Sequence, residues 1–465
     1  MGARGFALVC LAVCAAHAAS LDDTLALGRK ALANEGVATA WRLAQTAIHE
    51  APESAPAHEL AGEVLFRRGD LDQAENEFKQ ATKLDPKLGL AWWGLARVAE
   101  CSSRLKSAAE DYERAHQLDP RDFRIFRDWA MRLPIERQTA VLEKYAPALD
   151  SKRPEVNDFR QNIQLIQAVR GRPLGVLASP YQPTEIPLDA WTSETNHMRH
   201  YVLEVTINDA RLKLSLDTGT SGIVIPRRTA AAAGIAHLSD ANIGGLGDDF
   251  KGSTGYRGIA QRVRIGSVEL NGVLISVSNQ DSIGAGEGLI GANIFSQFLV
   301  TLDFSGRKLR LGQIPGYGSG DADLHDRSIV PETRGFTPVY HFAHLLMVPT
   351  RVGDAHGGLF VIDSGADRSL ISYDLAAEVS KLSHDDRMHL SGLSGRVADL
   401  YDTGDLILQF AGFRQKNLGM TAVDTLEQSR RLGVEISGFL GLPVLELFTL
   451  TIDYRDGLVN FARKE

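Results

Sequence analysis

Cysteine is scarce in this chain, and two of its three cysteines, Cys10 and Cys14, lie near the N-terminus. They belong to a segment with a positive start, a short apolar run and the small-residue cleavage site Ala16–Ala18, which is the layout of a signal peptide. We therefore predict a signal peptide at residues 1–18 and export to the periplasm or the extracellular space. The mature chain would keep only Cys101, which excludes an intramolecular disulfide and leaves its domains to apolar cores.

Two further absences limit the function classes. After the N-terminal segment the sequence has no apolar run long enough to span a bilayer, so we expect no transmembrane segment. Positive charge is not in excess, because 50 Lys and Arg face 58 Asp and Glu, for a net charge of -8. A nucleic-acid partner needs a basic surface, so we expect none. The 465 residues suggest about three folding units.

The N-terminal third contains a repeat with a period of 34 residues. Small residues recur at this spacing, where they let paired helices approach closely, and prolines recur where the second helix of each pair should end. Examples of both are Ala40, Ala74 and Ala108, and Pro52, Pro86 and Pro120. The period and the stretch GDLDQAENEFKQATKLDP resemble the tetratricopeptide repeat.

This resemblance implies an all-α tetratricopeptide solenoid over residues 19–169. We place its repeats at 21–54, 55–88 and 89–122, with a degenerate fourth repeat that continues to about residue 155. A solenoid of this kind offers a concave groove to a protein partner. A spacer or docking arm within the same polypeptide is the alternative, since the sequence identifies no ligand.

The composition changes at Arg170. Residues 170–194 contain several prolines and few helix formers, which predicts a linker. Apolar residues then alternate with polar ones, which indicates a mainly β region. We divide it into a first lobe at 195–315, an inter-lobe connection at 316–335 and a second lobe at 336–465.

The β region also repeats itself at a longer spacing. The stretch LKLSLDTGTSGIVIP matches GLFVIDSGADRSLIS, which aligns Asp217 with Asp363, 146 positions later. A Gly-apolar-apolar-Gly motif follows in each copy and ends at Gly291 and Gly441, which lie 74 and 78 positions after the respective Asp. A single Asp-Thr-Gly often arises by chance, whereas two such motifs, each followed at a similar distance by Gly-apolar-apolar-Gly, form a specific pattern.

This pattern resembles the aspartic proteases, and the resemblance covers residues from about 195 to 465. The first motif is similar to that of pepsin and the second to that of the retroviral enzymes. The resemblance implies a bilobal double barrel with a pseudo-twofold axis, in which each lobe contributes one Asp. Because both lobes lie on one chain, we expect a monomer. The predicted fold class is thus multidomain, an all-α solenoid followed by a mainly β, aspartic-protease-like double barrel.

The resemblance implies that Asp217 and Asp363 are the catalytic pair. Two carboxylates about 3 Å apart share one proton, so that one acts as general base on a water while the other acts as acid. Glycine lets each loop turn sharply, and the adjacent hydroxyls can donate to the facing loop. These supporting residues are Thr218, Gly219, Ser364 and Gly365.

Each copy also contains a glycine-rich hairpin between its Asp and its Gly-apolar-apolar-Gly motif, IGGLGDDFKGSTGY in the first and LSGLSGRVADLY in the second. We regard these hairpins as flaps over the site, although no pepsin-type flap tyrosine can be placed and Tyr256 only ends the first hairpin. The candidate flap glycines are Gly244, Gly245, Gly247, Gly392 and Gly395. The resemblance places Gly291 and Gly441 beneath the catalytic loops.

The expected function is that of an exported aspartic-type endopeptidase, which hydrolyses a peptide or unfolded protein substrate without a metal or other cofactor. His341 and His344 have a spacing that suits a metal site on a helix, but the aligned position of the first copy is a strand, so we expect no metal. Two alternatives remain open. The lobes could bind peptides without cutting them, or the repeats could carry the function as an assembly scaffold.

Overall fold

The computed structural model describes most of the chain. The described residues are 20–34, 36–145, 154–178, 182–192, 199–246, 254–284, 286–316, 324–354, 357–384, 390–393, 395–397 and 399–463. The predicted signal peptide and the candidate flap residue Gly247 lie outside them. Among the helices that are described, none combines the length and the apolar character that crossing a membrane requires.

The N-terminal region consists of antiparallel helix pairs, as the 34-residue period predicts. The helices are α1 (Leu21–Ala33), α2 (Val37–Glu50), α3 (Ala55–Arg67), α4 (Leu71–Leu84), α5 (Gly89–Cys101), α6 (Leu105–Leu118), α7 (Phe123–Ala130), α8 (Ile135–Tyr145) and α9 (Pro154–Val169). Phe78 of α4 shows why small residues recur. A Cβ on Gly62 or Gly94 would come within 2.7 Å or 2.3 Å of its ring, so glycine lets α3 and α5 pack closely around this side chain.

The first β lobe begins earlier than the sequence predicts. Its elements are β1 (Val176–Leu177), β2 (Thr184–Pro187), β3 (Asp189–Thr192), β4 (Arg199–Ile207), β5 (Ala210–Leu216), β6 (Ile223–Pro226), α10 (Arg227–Ala232), β7 (Ser239–Asn242), β8 (Thr254–Ile265), β9 (Val268–Ser278), β10 (Leu289–Ile290), β11 (Leu299–Asp303) and β12 (Lys308–Gly312). Strands β1, β2 and β3 lie in the expected linker and pair with β9, β12 and β4. The proline-rich stretch is therefore built into the lobe, because its short segments between prolines can still form edge pairings.

The second lobe repeats the central arrangement of the first. Its elements are β13 (Thr337–Pro338), β14 (Tyr340–Phe342), β15 (Leu345–Val352), β16 (Gly357–Ile362), β17 (Leu370–Ser372), α11 (Tyr373–Val379), β18 (Ser383–His384), β19 (Ser391–Gly392), β20 (Gly395–Arg396), β21 (Tyr401–Asp402), β22 (Leu406–Phe410), β23 (Phe413–Asn417), β24 (Thr421–Val423), α12 (Leu426–Leu432), β25 (Ile436–Leu440), α13 (Leu442–Leu445), β26 (Phe448–Asp453) and β27 (Leu458–Arg463). Strand β25 lies between β16, its parallel partner, and β17, its antiparallel partner, just as β10 lies between β5 and β6.

A third sheet joins the two lobes. Its strand order is β13-β27-β26-β11-β12-β2, so that β11 of the first lobe pairs with β26 of the second. At the centre of that pairing the hydroxyl groups of Thr301 and Thr451 lie 3.1 Å apart. These residues are 150 positions apart, the same spacing as Gly291 and Gly441. Equivalent residues of the two copies therefore meet at the pseudo-twofold axis, as the bilobal prediction requires.

The repeats pack directly against the second lobe, a contact that the sequence did not predict. The rings of Phe66 and Phe342 pack edge to face with their centroids 5.9 Å apart. The backbone N–H of Glu435 donates to the Arg67 carbonyl over 2.7 Å. These contacts belong to one buried apolar cluster that includes side chains of α3, α4 and α5 together with side chains of β15, β16 and β25.

The inter-lobe connection also contacts the repeats. Asp326 accepts hydrogen bonds from the backbone N–H and the hydroxyl of Ser107, over 3.0 Å and 2.7 Å. The Leu105 N–H donates to the His325 carbonyl over 3.0 Å. The expected arm is therefore a docked domain that supports the second lobe.

Candidate active site

Asp217 and Asp363 occupy equivalent places in the two lobes. Asp217 follows the last residue of β5, and its N–H donates to the Ile290 carbonyl over 2.9 Å. Asp363 follows β16, and its N–H donates to the Leu440 carbonyl over 3.0 Å. Each Asp thus leaves a buried strand at the point where the Gly-apolar-apolar-Gly strand runs beside it.

The two loops bring the carboxyl groups together through their glycines. A Cβ on Gly365 would lie 2.4 Å from Cγ of Asp217, and a Cβ on Gly219 would lie 3.0 Å from Cγ of Asp363. Each carboxyl group therefore lies over the glycine of the opposite loop. Only glycine leaves room for that approach, which explains why both motifs need this residue.

Thr218 and Ser364 connect the two loops by reciprocal hydrogen bonds. The Thr218 hydroxyl donates to the Ile362 carbonyl over 2.7 Å and accepts from the Ser364 N–H over 2.9 Å. The Ser364 hydroxyl donates to the Leu216 carbonyl over 3.2 Å and accepts from the Thr218 N–H over 3.1 Å. Both side chains are buried, so these bonds satisfy polar groups that water cannot reach and hold the lobes in register.

The surroundings of the two carboxylates differ. Asp217 accepts hydrogen bonds from the Gly219 N–H over 2.8 Å and from the Thr220 hydroxyl over 2.6 Å. Asp363 accepts the equivalent bond from the Gly365 N–H over 2.9 Å, but Ala366 stands where the first loop has its second hydroxyl. Burial, followed by the nearby charge of Asp217, raises the pKa of Asp363 well above the usual carboxyl range. Burial and the neighbouring carboxylate therefore favour the protonated form of Asp363.

Gly291 and Gly441 lie beneath the loops, where backbones cross closely. A Cβ on Gly291 would be 2.0 Å from the Thr220 carbonyl oxygen, and one on Gly441 would be 2.3 Å from the Arg368 carbonyl oxygen. The Gly441 N–H donates to the Ser369 hydroxyl over 3.1 Å. Both positions therefore need glycine for the same packing reason.

The two glycine-rich hairpins meet each other at one cavity of about 760 Å³ that also contains Asp217 and Asp363. A Cβ on Gly245 would lie 2.9 Å from Cβ of Leu393, and one on Gly392 would lie 2.1 Å from the Leu246 carbonyl oxygen. Gly244 and Gly395 line the same cavity. Four of the five candidate flap glycines are thus brought to the site by both lobes, while Gly247 lies outside the described residues.

His344, which the sequence analysis considered only as a metal ligand, belongs to the site. Its Nε2 lies 2.9 Å from the Gly219 carbonyl oxygen, so a side chain of the second lobe supports the loop of the first. Burial lowers the pKa of His344, which keeps the ring neutral. The local sequence offers one signal for a role at the site, which is the position of His344 in the turn just before β15. The described residues contain no group of three or more His, Cys, Asp or Glu side chains that could hold a metal ion.

Tyr256 does not lie over the carboxyl pair. Its hydroxyl donates to the Ile235 carbonyl over 3.3 Å, within the first lobe. Apolar residues and glycines of the two hairpins line the cavity, among them Ile243 and Leu393.

Comparison with known families gives matches in both halves of the chain. Residues 203–297 match the model of the gag-polyprotein putative aspartyl protease, and residues 25–88 and 60–123 match the tetratricopeptide repeat. No curated protein matches the chain.

Three solved structures illustrate the similarity. An aspartic proteinase from Irpex lacteus is 14% identical, with 61% of this chain and 98% of that chain covered and a TM-score of 0.40. An O-GlcNAc transferase mutant from Thermobaculum terrenum is 17% identical over 28% of this chain, with a TM-score of 0.26, and the match spans only 26% of the transferase. A tetratricopeptide domain from Arabidopsis is 20% identical, with 24% of this chain and 92% of that chain covered and a TM-score of 0.22.

The helix pairs, the duplicated strand–loop motif and the two family matches agree with one another. This chain is a multidomain protein in which a helical region that matches the tetratricopeptide repeat precedes a two-lobed, mainly β region whose first lobe matches the aspartyl protease model.

Proposed function

We propose that this protein is an aspartic-type endopeptidase in which Asp217 and Asp363 activate a water molecule. The observation that carries the proposal is the reciprocal placement of the two carboxyl groups, each over the glycine of the opposite loop. Two carboxylates this close cannot both be ionised, so they share a proton. An unrelated pair of Asp turns would have no reason to share the hydroxyl lock of Thr218 and Ser364.

The asymmetry of the hydrogen bonds supports separate roles for the two carboxyl groups. Asp217, stabilised as an anion by the Thr220 hydroxyl and the Gly219 N–H, removes a proton from the water. The water oxygen bonds to the carbonyl carbon of the substrate, while protonated Asp363 transfers its proton to the carbonyl oxygen. The carbon–nitrogen bond of the tetrahedral intermediate then breaks as the proton held by Asp217 moves to the leaving nitrogen. Asp363 takes back a proton from one hydroxyl of the intermediate, which gives the carboxylic acid product and restores the singly protonated dyad.

The cavity supports a peptide as substrate. Its walls include the apolar residues Val224, Ile243 and Leu345 as well as both hairpins, so that an extended chain would be covered from two sides. Apolar walls with a few well-placed polar groups are typical of sites that bind a ligand with specificity.

The repeats support a second element of the proposal, which is a protein partner or substrate bound on their groove. We further propose that the protein is exported, on the basis of the N-terminal segment and the single cysteine of the predicted mature chain. This cysteine, Cys101, is buried and unpaired. Localisation of the full chain with a C-terminal tag in the source cell would test the export directly.

The central experiment measures cleavage of an unfolded protein by the full-length chain, by Asp217→Asn and by Asp363→Asn. Asn keeps the shape of Asp but cannot share the proton, so each variant should lose peptidase activity and keep the wild-type melting temperature. Matched controls are Asp303→Asn and Asp453→Asn, which alter the turn-capping residues of the inter-lobe sheet.

The alternatives predict other results. If the wild type binds peptides without cutting them, the lobes are a binding module. If either dyad variant retains near wild-type turnover, the assignment of the dyad is wrong.

A further inference from the structure

Arg257 is a charged residue of the cavity that the mechanism above does not use. Arg257 lies on β8, and its half-buried side chain lines the cavity that contains the two carboxyl groups. Among the described residues, its guanidinium makes no hydrogen bond or ion pair. Burial alone lowers the pKa of Arg257, with no carboxylate to offset it. Removing a cation from water without a partner is unfavourable, so a partner from outside the chain is the natural complement.

The other arginines of the cavity differ from Arg257 in this respect. Arg368 pairs with Asp367 over 3.3 Å, and Arg431 pairs with Glu427 over 3.1 Å. Arg396 also interacts with a neighbour. Arg368 and Arg431 are therefore paired with carboxylates and Arg396 is not without a partner, which leaves Arg257 as the arginine without one among the described residues of the cavity.

The charge of the cavity contrasts with that of the whole chain. The protein carries a net charge of -8, but the charged residues that line the cavity are four Arg and three Asp. Two of those Asp are the dyad, which shares a proton in the proposed mechanism. The described lining therefore has more Arg than Asp, unlike the chain as a whole. Because Arg368 and Arg431 are paired with carboxylates, Arg257 is the part of this lining that favours a negatively charged group of a ligand.

The position of Arg257 follows from the register of the first lobe. One row of paired residues crosses five neighbouring strands, β5, β10, β6, β9 and β8, and every residue of the row lines the cavity. In that strand order the residues are Ser215, Leu289, Val224, Ser276 and Arg257. Residues paired in this way share one face of a sheet. The row begins two residues before Asp217 and reaches Arg257 four strands away, about 19 Å along the sheet at about 4.8 Å per strand.

We propose that Arg257 forms a subsite of the first lobe that binds an acidic side chain of the substrate, several residues from the bond that is cut. The distance follows because an extended peptide advances about 3.3 Å per residue and Arg257 lies about 19 Å along the sheet from the end of the row beside Asp217. Ser276 and Gln280 line the cavity nearby and add polar groups to the same wall. The subsite names a substrate class for the proposed peptidase and rests on that proposed function.

The test uses the full-length protein and pairs of peptides that carry Glu or Gln at one position, with each position on both sides of the cleaved bond varied in turn. The readout is the Glu-to-Gln ratio of kcat/KM. A charge-assisted bond should make that ratio about tenfold or more at one position for the wild type. Arg257→Gln should bring the ratio to near one, and Arg257→Lys should keep part of it.

Arg264→Gln is the matched control, because Arg264 lies on the same strand outside the cavity and pairs with Glu269 over 3.3 Å. It removes the same charge and should keep the wild-type ratio. The inference is overturned if the wild type shows no Glu preference at any position. It is also overturned if the preference survives Arg257→Gln, or if Arg396→Gln abolishes it and Arg257→Gln does not.

A binding measurement separates this inference from the proposed activity. The same peptides, labelled with a fluorophore, are titrated with the Asp217→Asn protein and its Arg257→Gln double variant. An Arg257-dependent Glu preference in Kd without cleavage by the wild type supports the subsite and overturns the peptidase. Cleavage without any Glu preference in either readout supports the peptidase and overturns the subsite.

Discussion

The two β lobes carry the same motif but have different surroundings. The first lobe places Thr220 beside its Asp, whereas the second has Ala366 at the aligned position. The second lobe packs on the repeats through Phe342 and Leu359. Duplication thus preserved the strand and loop that hold each carboxyl group and allowed the charge state and the external support to diverge. In the mechanism proposed above, this difference favours the proton on the carboxyl group of the second lobe.

The largest expected effect comes from altering the feature that the lobes share. Gly365→Ala would place a methyl group 2.4 Å from Cγ of Asp217, and Gly219→Ala would place one 3.0 Å from Cγ of Asp363. Both changes should separate the carboxyl groups and reduce kcat/KM by about a hundredfold or more, since small displacements of reacting groups are costly. Gly365→Ala should be the more damaging of the two. Steady-state cleavage of one peptide by both variants checks the order, and equal activity of Gly365→Ala and wild type would contradict it.

Removal of the repeats should affect the second lobe more than the first, which α9 contacts at β7. A chain that begins at residue 170 would expose Phe342 and Leu359 to water, at about 2 kcal/mol for each large apolar side chain. We expect a lower melting temperature, a tendency to aggregate and reduced cleavage even of short peptides. Hydrogen exchange should show the loss of protection in β15 and β16, with β9 unchanged. If short peptides are cleaved normally and only protein substrates are affected, the repeats deliver substrate and do not support the lobe.

The chemical asymmetry of the dyad predicts the effect of Thr220→Val. The change removes one hydroxyl donor from Asp217 at nearly constant volume, so the ionised carboxylate loses about 1.5 kcal/mol or more of stabilisation. Activity should fall by about tenfold at acidic pH. Thr220→Ser keeps the hydroxyl and should remain close to the wild type. If Thr220→Val matches the wild type across the pH range, the proposed division of roles is wrong.

The pH profiles of the wild type and of Thr220→Val show in which direction the loss of the hydroxyl shifts the activity. Activity should be bell-shaped, because the doubly ionised and doubly protonated dyads are both inactive. Because the pKa of Asp363 is raised, this group keeps its proton at pH values above the usual carboxyl range, and the alkaline limb of the profile should lie above that range. The two limbs describe the carboxyl pair as a whole and not either residue alone. Thr220→Val destabilises the ionised form, which should move the acidic limb to higher pH. A rate that increases steadily into the alkaline range would contradict the mechanism.

The smallest expected effect concerns the contact between the repeats and the second lobe. Gly69 has a φ of +80°, and a Cβ there would lie 2.8 Å from Cγ of Leu359. Gly171 has a φ of +71°, and a Cβ there would meet no atom within 4 Å, so Gly171→Ala reports the backbone cost alone. Gly69→Ala should lower the free energy of unfolding by about 1 kcal/mol for the backbone, plus the cost of the clash. Chemical denaturation of both variants measures the difference, and equal destabilisation would show that the contact adapts freely.

The sequence predicts most of the site because each part of it is local. A strand, an Asp-Thr-Gly or Asp-Ser-Gly turn and a following strand are consecutive in the chain, so Asp217 and Asp363 could be identified from their motifs alone. Thr218 and Ser364 follow from the same turns. His344 could not be found in this way, because its contact with Gly219 joins residues 125 positions apart.

The helical period, the duplicated motif and the identity of the carboxyl pair were determined by the sequence itself, since periodicity and turn chemistry act between near neighbours. Only the tertiary structure decided that the proline-rich stretch joins the sheets, that the repeats support β16 and that Arg257 shares a wall with Ser215. These features depend on which surfaces bury each other. Burial is a property of the folded chain as a whole, and residues far apart in sequence carry no local signal of it.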